Sequence, residues 1–270
     1  MTSTRVAGAL VVLALLGAGA LLRPARGAVL VALLVLLALA TVLRLRGRVF
    51  ASELSLAAAI PVAVALVWGG AEAPVSLPGD CENPLATVAL WRTWELLAVS
   101  AALGLVVVLR SADLRALVPF AMPSRRLAAG LVLITLLVAL ASIAIGPIIA
   151  QGWFGEFRLL FTPIALIPAL VFGLSNALAE EIAYRGVLRG GLVPALGAHG
   201  ANVAQASIFA LAHSGPDFTV SPLPVMALMF GGAFVAGEIV RRTGSLIVPI
   251  ALHAAFDLPI FLYWACRLGN

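Results

Sequence analysis

The sequence predicts an all-α protein, a polytopic transmembrane helical bundle with eight or nine spans. Its 270 residues are 63% hydrophobic and 11% charged, whereas a soluble domain is about half apolar and about a quarter charged. The mean hydropathy is +1.13 over the whole chain, so the apolar character is not confined to one segment. The long apolar runs show no period-two alternation, which excludes a barrel and leaves helices as the elements that satisfy the backbone in lipid.

Nine apolar runs approach the roughly 20 residues that a helix needs to cross a bilayer. In chain order they are Val6–Leu22, Ala28–Leu43, Leu54–Gly70, Trp94–Leu109, Leu127–Gln151, Leu159–Asn176, Ala201–His213, Leu223–Val240 and Leu246–Ala265. The sixth run continues into the polar stretch that follows it. We expect Gly190 and Gly191 to end that helix, the next helix to begin near Gly200, and the last to begin near Ser245.

The placement of arginines predicts the orientation of a multi-pass protein of the cell membrane. Arginines cluster after the second and fourth runs, whereas the loop from Ala71 to Thr93 is acidic. By the positive-inside rule the N-terminus is cytoplasmic and that loop lies outside. Cys81 and Cys266 then both lie outside, and whether they pair is left open. The arginines form no basic run, so nucleic acid is not an expected partner.

The unusual polar residues fall in one half of the chain. We divide the chain into scaffold helices at 1–123 and a transmembrane core at 124–270. No internal repeat is visible, which weakens a transporter or proton-pathway interpretation, since many transporters consist of repeated halves.

Two adjacent glutamates and an arginine follow the sixth apolar run. Glu181 and Arg185 are four residues apart, so they share a helix face and can pair. Glu180 lies about 100° round the helix from Glu181 and is therefore free for another role. A buried carboxylate beside a neutralised one is a plausible general base. Taken alone, however, a Glu–Arg pair at this spacing is often only a helix-end salt bridge.

Two later helices carry polar residues at the same spacing. Phe209 and His213 share one helix face, and His253 and Asp257 share another. Ionisable side chains within a membrane are costly and usually functional, although a lone histidine is more often a hydrogen-bonded structural residue. Two histidines and a glutamate also form a plausible zinc set, with one position left for water. Glu238 and Arg242, again four apart, read as an interfacial pair.

The ordered motifs Glu180-Glu181-x-x-x-Arg185, Phe209-x-x-x-His213 and His253-x-x-x-Asp257 resemble the CPBP family of intramembrane proteases. This family includes the type II CAAX prenyl endopeptidases and the bacteriocin-processing or immunity-related proteins. The resemblance covers about Leu170 to Leu262. It implies an intramembrane endopeptidase that acts on a membrane-associated peptide or protein, within the lipid bilayer and with its active site open to the cytoplasm.

The resemblance also assigns roles within the site. It implies that Glu180 with His213 activates a water molecule, and that His253 with residue 257 stabilises the oxyanion. Glu181, Arg185 and Phe209 would support the site. The family often has Asn where this chain has Asp257, so Asp257 either donates in its protonated form or orients His253. No cofactor is expected. Two alternatives stay open: zinc held by Glu180, His213 and His253, and a non-catalytic scaffold or immunity protein on the same fold.

Overall fold

The fold is known from a computed structural model of the chain. The structure describes residues 3–22, 26–68, 93, 96–104, 106–108, 118–121, 125–154, 163–213 and 223–264. Over these ranges the chain is helical and forms no β-strand, apart from an isolated bridge between Phe120 and Ser245. The predicted all-α class is therefore confirmed.

The named helices of the described ranges follow one another along the chain. They are α1 (Ser3–Leu22), α2 (Arg26–Leu45), α3 (Val49–Trp68), α4 (Arg125–Phe154), α5 (Pro163–Glu180), a π-helix (Glu181–Leu188), α6 (Arg189–Ala212), α7 (Leu223–Thr243) and α8 (Ile247–Trp264). A shorter helical stretch covers residues 96–104. Cys81 and Cys266 both lie outside the described residues.

Four helical stretches are long and apolar enough to cross a membrane among the residues that the structure describes. They are Ser3–Leu21, Gly27–Leu45, Leu166–Ala212 and Leu223–Thr243. Shorter apolar helices lie at Val49–Ala65, Leu96–Val108, Ala129–Ile145 and Ile247–Leu258. Large apolar side chains on α1, α2 and α4 are exposed, as expected where lipid is the solvent. These findings confirm a membrane bundle, and they identify by length four of the predicted eight or nine spans.

The stretch Leu166–Ala212 changes direction at a different glycine from the one that we expected. Gly190 and Gly191 lie inside the helical stretch, so the prediction that they end a helix is wrong. A side chain at Gly191 would place its Cβ only 2.4 Å from that of Ala57 on α3, so this glycine serves close packing. The break comes at Gly197, whose φ of 71° and ψ of 170° are not helical.

Short side chains and buried polar groups fix the packing of the bundle. The α3 helix contacts the π-helix and α6, and α8 packs on α4, α5 and α7. Ser52 on α3 donates its hydroxyl to the Ala40 carbonyl of α2 at 2.8 Å. Asn202 and Gln205 on α6 donate to backbone carbonyls of α7 at 3.0 Å each. Side-chain bonds of this kind join helices where lipid offers no hydrophobic drive for association.

The start of α8 is anchored by residues that precede α4. The Leu246 amide donates to the Pro119 carbonyl at 2.8 Å, and the Ser245 hydroxyl donates to the Ala121 carbonyl at 2.7 Å. The Ser245 oxygen also accepts from the Ile247 amide at 3.2 Å, as a helix-capping serine does. The helix thus begins close to the predicted start near Ser245.

The α5 and α8 helices meet at Gly173, where their backbones approach closely. A Cβ at this position would lie 2.9 Å from the Ala254 carbonyl oxygen and 3.4 Å from the Leu258 nitrogen. Both neighbours are backbone atoms of α8, so any added side chain has to push the helices apart. A Cβ built at Gly130 on α4 has no atom of the described residues within 4 Å, so Gly130 serves as the control.

We predict that Gly173→Ala lowers the free energy of unfolding by about 1–3 kcal/mol, the usual cost of overpacking. Thermal unfolding in detergent measures the effect, with Gly130→Ala staying at or above wild type because alanine favours the helix. Equal midpoints for Gly173→Ala and wild type would contradict the close approach of α5 and α8.

Candidate active site

The two glutamates lie where the helix changes its type. Glu180 is the last residue of α5, and Glu181 is the first residue of the π-helix that runs to Leu188. Both side chains are buried. A π-helix is rare and interrupts the regular α-helical geometry, and such segments occur frequently at functional sites. The change of helix type lets two neighbouring carboxylates meet different partners.

Glu181 is the fully buried centre of an ionic network. Its Oε1 atom lies 2.8 Å from His253 Nδ1 and 3.2 Å from Arg185 Nη1. The His253 contact links the π-helix to α8, whereas Arg185 belongs to the π-helix itself. Because a buried charge without a partner is very costly, these contacts hold α8 in a fixed position against the π-helix. The Glu181–Arg185 pair is the one that the four-residue spacing predicts.

Two further carboxylates face the other nitrogen of the same histidine. His253 Nε2 lies 3.6 Å from Glu180 Oε2 and 3.5 Å from Asp257 Oδ2. Both distances exceed a normal hydrogen bond. Glu180 Oε2 has no hydrogen-bond partner among the described residues, although it is buried. This oxygen is therefore an acceptor that faces into the site with its capacity unused.

Asp257 is held from the neighbouring helix by an amide. Asn176 Nδ2 donates to Asp257 Oδ2 at 2.7 Å, and both side chains are buried. Sequence reasoning missed Asn176. Its available signal was an amide in an apolar helix, four residues before Glu180 and so on the same face.

His213 lies at the end of α6 and bonds back to its own helix. Its amide donates to the Ala210 carbonyl at 3.1 Å, while its ring Nδ1 lies 2.8 Å from the Phe209 carbonyl oxygen. A carbonyl oxygen only accepts, so Nδ1 carries the hydrogen. In the neutral ring Nε2 is then the acceptor. The end of the helix thus fixes the tautomer of His213.

The Phe209 ring connects the two histidines. Its centroid lies 4.3 Å from that of His213 and 6.0 Å from that of His253. Arg185 Cζ lies 4.2 Å from the same centroid, within cation–π range. Tyr184 meets Phe209 edge-on at 5.1 Å, which fits the packing role expected of an aromatic residue here. Phe209 is thus the apolar support of the site.

The structure brings most of the predicted site residues into one cluster. Glu180, Glu181, Arg185, His253 and Asp257 meet directly, and Phe209 joins His213 to them. The roles assigned to these residues stay predictions.

Outside this cluster, the exposed side of α7 carries the expected interfacial pair. Glu238 bonds to Arg242 Nε at 2.7 Å and also to Arg241 Nε at 2.7 Å. This pair therefore extends to a second arginine.

No group of three or more His, Cys, Asp or Glu side chains among the described residues is arranged to hold a metal ion. The zinc set considered from the sequence was Glu180, His213 and His253. In the structure, the Nδ1 atoms of both histidines are taken up by hydrogen bonds, to Phe209 and Glu181. A ligating histidine commonly binds the metal with one nitrogen and donates with the other, so the expectation of no cofactor stays a prediction.

Comparison with protein families identifies the part of the chain that carries this site. The family model of the type II CAAX prenyl endopeptidase Rce1-like domain matches residues 161–259. Residues 161–259 form an Rce1-like domain. All three motifs lie within the match, which confirms the resemblance to the CPBP proteases drawn from them. The comparisons with curated proteins and with solved structures give no match.

The Rce1-like domain spans α5, the π-helix, α6, α7 and most of α8. These are the elements that carry every residue of the cluster. The family supports an intramembrane endopeptidase in general, acting in a membrane that the apolar helices already require.

We predict that Arg185→Leu in the Rce1-like domain destabilises the fold by about 3–5 kcal/mol, because it removes one of the two cationic partners of the buried Glu181 carboxylate. Thermal unfolding in detergent is the measurement. Arg242→Leu is the matched control, since it removes the same charge from an exposed pair. Equal midpoints for the two variants would contradict a structural role for the buried pair.

Proposed function

We propose that the chain is an intramembrane endopeptidase that hydrolyses a peptide bond of a membrane-associated protein or peptide, with Glu180 as general base. One observation carries this proposal: the buried Glu180 Oε2 has no hydrogen-bond partner among the described residues, yet lies 3.6 Å from His253 Nε2. This separation is too long for a direct hydrogen bond, so Glu180 Oε2 can accept a hydrogen bond from a water molecule. The family match of residues 161–259 supports the reaction class.

In the proposed reaction Glu180 accepts a proton from water, and the water oxygen attacks the carbonyl carbon of the scissile bond. His213 assists through its Nε2 atom, which is the acceptor in the neutral tautomer. The tetrahedral intermediate then collapses as the carbon–nitrogen bond breaks. The proton held by Glu180 passes to the leaving nitrogen, so the products are a carboxylate and an amine, and Glu180 is restored.

His253 and Asp257 form the proposed oxyanion site. The Nε2 atom of His253 faces the cluster, and its Nδ1 atom is fixed by Glu181. Since Nδ1–H donates to Glu181, Nε2 carries a hydrogen in the charged form of the ring, and this Nε2–H group is a preorganised donor for the developing negative charge. Asp257 accepts a hydrogen bond from Asn176, which favours the orienting role over direct donation to the oxyanion.

Charge balance supports the choice of Glu180 as the base. The cluster contains three carboxylates, on Glu180, Glu181 and Asp257, and two groups able to carry a positive charge, Arg185 and His253. With both cations charged, one negative charge is left over. Glu181 lies within 3.2 Å of two cationic groups, and Asp257 accepts a hydrogen bond from Asn176 at 2.7 Å. The contact of Glu180 with His253 is longer, at 3.6 Å, so we assign the surplus charge to Glu180.

We propose that the reaction proceeds without a metal ion or other cofactor. Zinc held by Glu180, His213 and His253 is the alternative, and it would supply a metal-activated water instead of a glutamate-activated one. The Nδ1 atoms of His213 and His253 both form hydrogen bonds, so either chemistry would use the Nε2 atoms of these residues.

The proposed setting is the cell membrane, with the N-terminus and the opening of the site on the cytoplasmic side. The arginine distribution supports this orientation. The proposed partners are the lipid bilayer and a membrane-associated substrate, and no nucleic acid. We also propose that residues 1–123 act as scaffold for a core at 124–270, supported by the packing of α3 on the π-helix.

We predict that Glu180→Gln lowers kcat for peptide cleavage by at least about a hundredfold, the usual contribution of a general base. A panel of quenched peptides, prenylated and unprenylated, provides the assay. Glu238→Gln, which makes the same change at a glutamate of α7 outside the cluster, should cleave like wild type. Full activity of Glu180→Gln would rule out the glutamate mechanism.

Treatment with a chelator distinguishes the two ways of activating water. We expect cleavage by the purified wild type to be unchanged after chelation and dialysis, because no step of the proposed reaction uses a metal. Loss of cleavage on chelation, with recovery on adding zinc, would instead make Glu180, His213 and His253 metal ligands.

A further inference from the structure

A buried amide from α5 bonds to the Asp257 carboxylate of the cluster. Asn176 lies four residues before Glu180, and its Nδ2 atom donates to Asp257 Oδ2 across the α5–α8 boundary at 2.7 Å. Both side chains are about 7% exposed. Hydrogen bonds to a charged acceptor are about twice as strong as neutral ones, and more so away from water. The bond therefore restricts where the Asp257 carboxylate can point.

The other buried amides of the described chain bond differently, which makes Asn176 distinctive. Gln205 donates to Asn202 Oδ1 and to the Ala233 carbonyl, and Asn202 donates to the Phe234 carbonyl. The two bonds to backbone carbonyls tie α6 to α7, and none of the three bonds involves an ionisable group. Asn176 instead holds an ionisable side chain that lies 3.5 Å from His253 Nε2.

Two of the three carboxylates beside the His253 ring are held in parallel ways. Glu181, which faces Nδ1, is paired with Arg185 of the π-helix. Asp257, which faces Nε2, is bonded to Asn176 of α5. Each of these two carboxylates thus has its own donor on the continuous stretch from α5 into the π-helix. The orientation of the His253 ring depends on both donors.

We propose that Asn176 is a positioning residue of the active site. It fixes the Asp257 carboxylate as an acceptor beside His253 Nε2, and Asp257 in turn holds the imidazole ring in the orientation that presents Nε2–H to the oxyanion. Asn176 acts through Asp257 and does not touch the reacting atoms. This inference rests on the proposed function, because it assigns His253 to the oxyanion site.

The test is a double-mutant cycle on peptide cleavage by the purified full chain. Asn176→Leu should lower kcat about tenfold to a hundredfold, the loss expected on removing a partner of a charged hydrogen bond. KM should stay within about threefold of wild type, because the bond acts in the transition state rather than in substrate binding. In the Asp257→Ala background the same change should alter kcat by less than about twofold, since coupled residues are not additive.

Controls separate positioning from packing. Ser175→Ala changes the adjacent residue, whose hydroxyl donates within α5 to the Val171 and Phe172 carbonyls, and it should leave kcat at the wild-type value. Asn202→Leu removes a buried amide that ties α6 to α7, so it should lower the unfolding midpoint without a selective loss of kcat. An unchanged kcat for Asn176→Leu, or equal losses in both backgrounds, would overturn the inference.

A second variant keeps the test decisive if Asn176→Leu does not fold. Asn176→Asp has the same shape but replaces the donor with an acceptor beside Asp257, so kcat should again fall. Adding Asp257→Asn restores one donor and one acceptor across the boundary and should recover at least about tenfold of the loss. No recovery in the double variant would argue against the hydrogen bond as the cause.

The Glu180→Gln variant distinguishes failure of this inference from failure of the proposed function. If Glu180→Gln is inactive while Asn176→Leu matches wild type on the same peptide, only the positioning role of Asn176 is lost. If Glu180→Gln is fully active, the glutamate mechanism fails, and the role of Asn176 fails with it.

Discussion

The ionic contact between Glu181 and His253 is the interaction on which the rest of this structure depends. The Glu181 carboxylate is fully buried in an apolar bundle, so it must have partners. Removing a partner leaves a buried charge unpaired, which costs several kcal/mol. Arg185 supplies one partner from the same helix, but His253 comes from α8, far along the chain. The need to satisfy Glu181 therefore fixes which helix lies beside the π-helix and which side chain it presents.

Close helix packing makes that contact possible. Gly173 lets the α8 backbone approach α5, and Gly191 lets α6 approach α3. In a membrane, where apolar contact with a helix gains little over contact with lipid, small residues and buried polar bonds bring helices together. The glycines thus allow the helix backbones to approach each other, and the ionic cluster determines the register in which the helices pack.

The change from α-helix to π-helix separates the roles of two adjacent glutamates. Glu181 turns toward Arg185 and His253 Nδ1, while Glu180 faces His253 Nε2 with an oxygen left without a hydrogen bond in the described structure. Glu181 holds the site together through its Oε1 atom, and we propose that Glu180 serves the substrate or water. The neutralised neighbour reduces the repulsion that two bare carboxylates would otherwise feel.

The sequence by itself determined the helical membrane class, the Glu181–Arg185 pair and the His253–Asp257 face, because hydropathy and four-residue spacing are local properties. It did not reveal that the helix continues past Gly191, since glycine serves both helix ends and close packing. The role of Asn176 and the placement of His253 between carboxylates depend on contacts between distant helices. Only the tertiary structure decided these, because a side chain's partner across a helix boundary is set by how the helices pack.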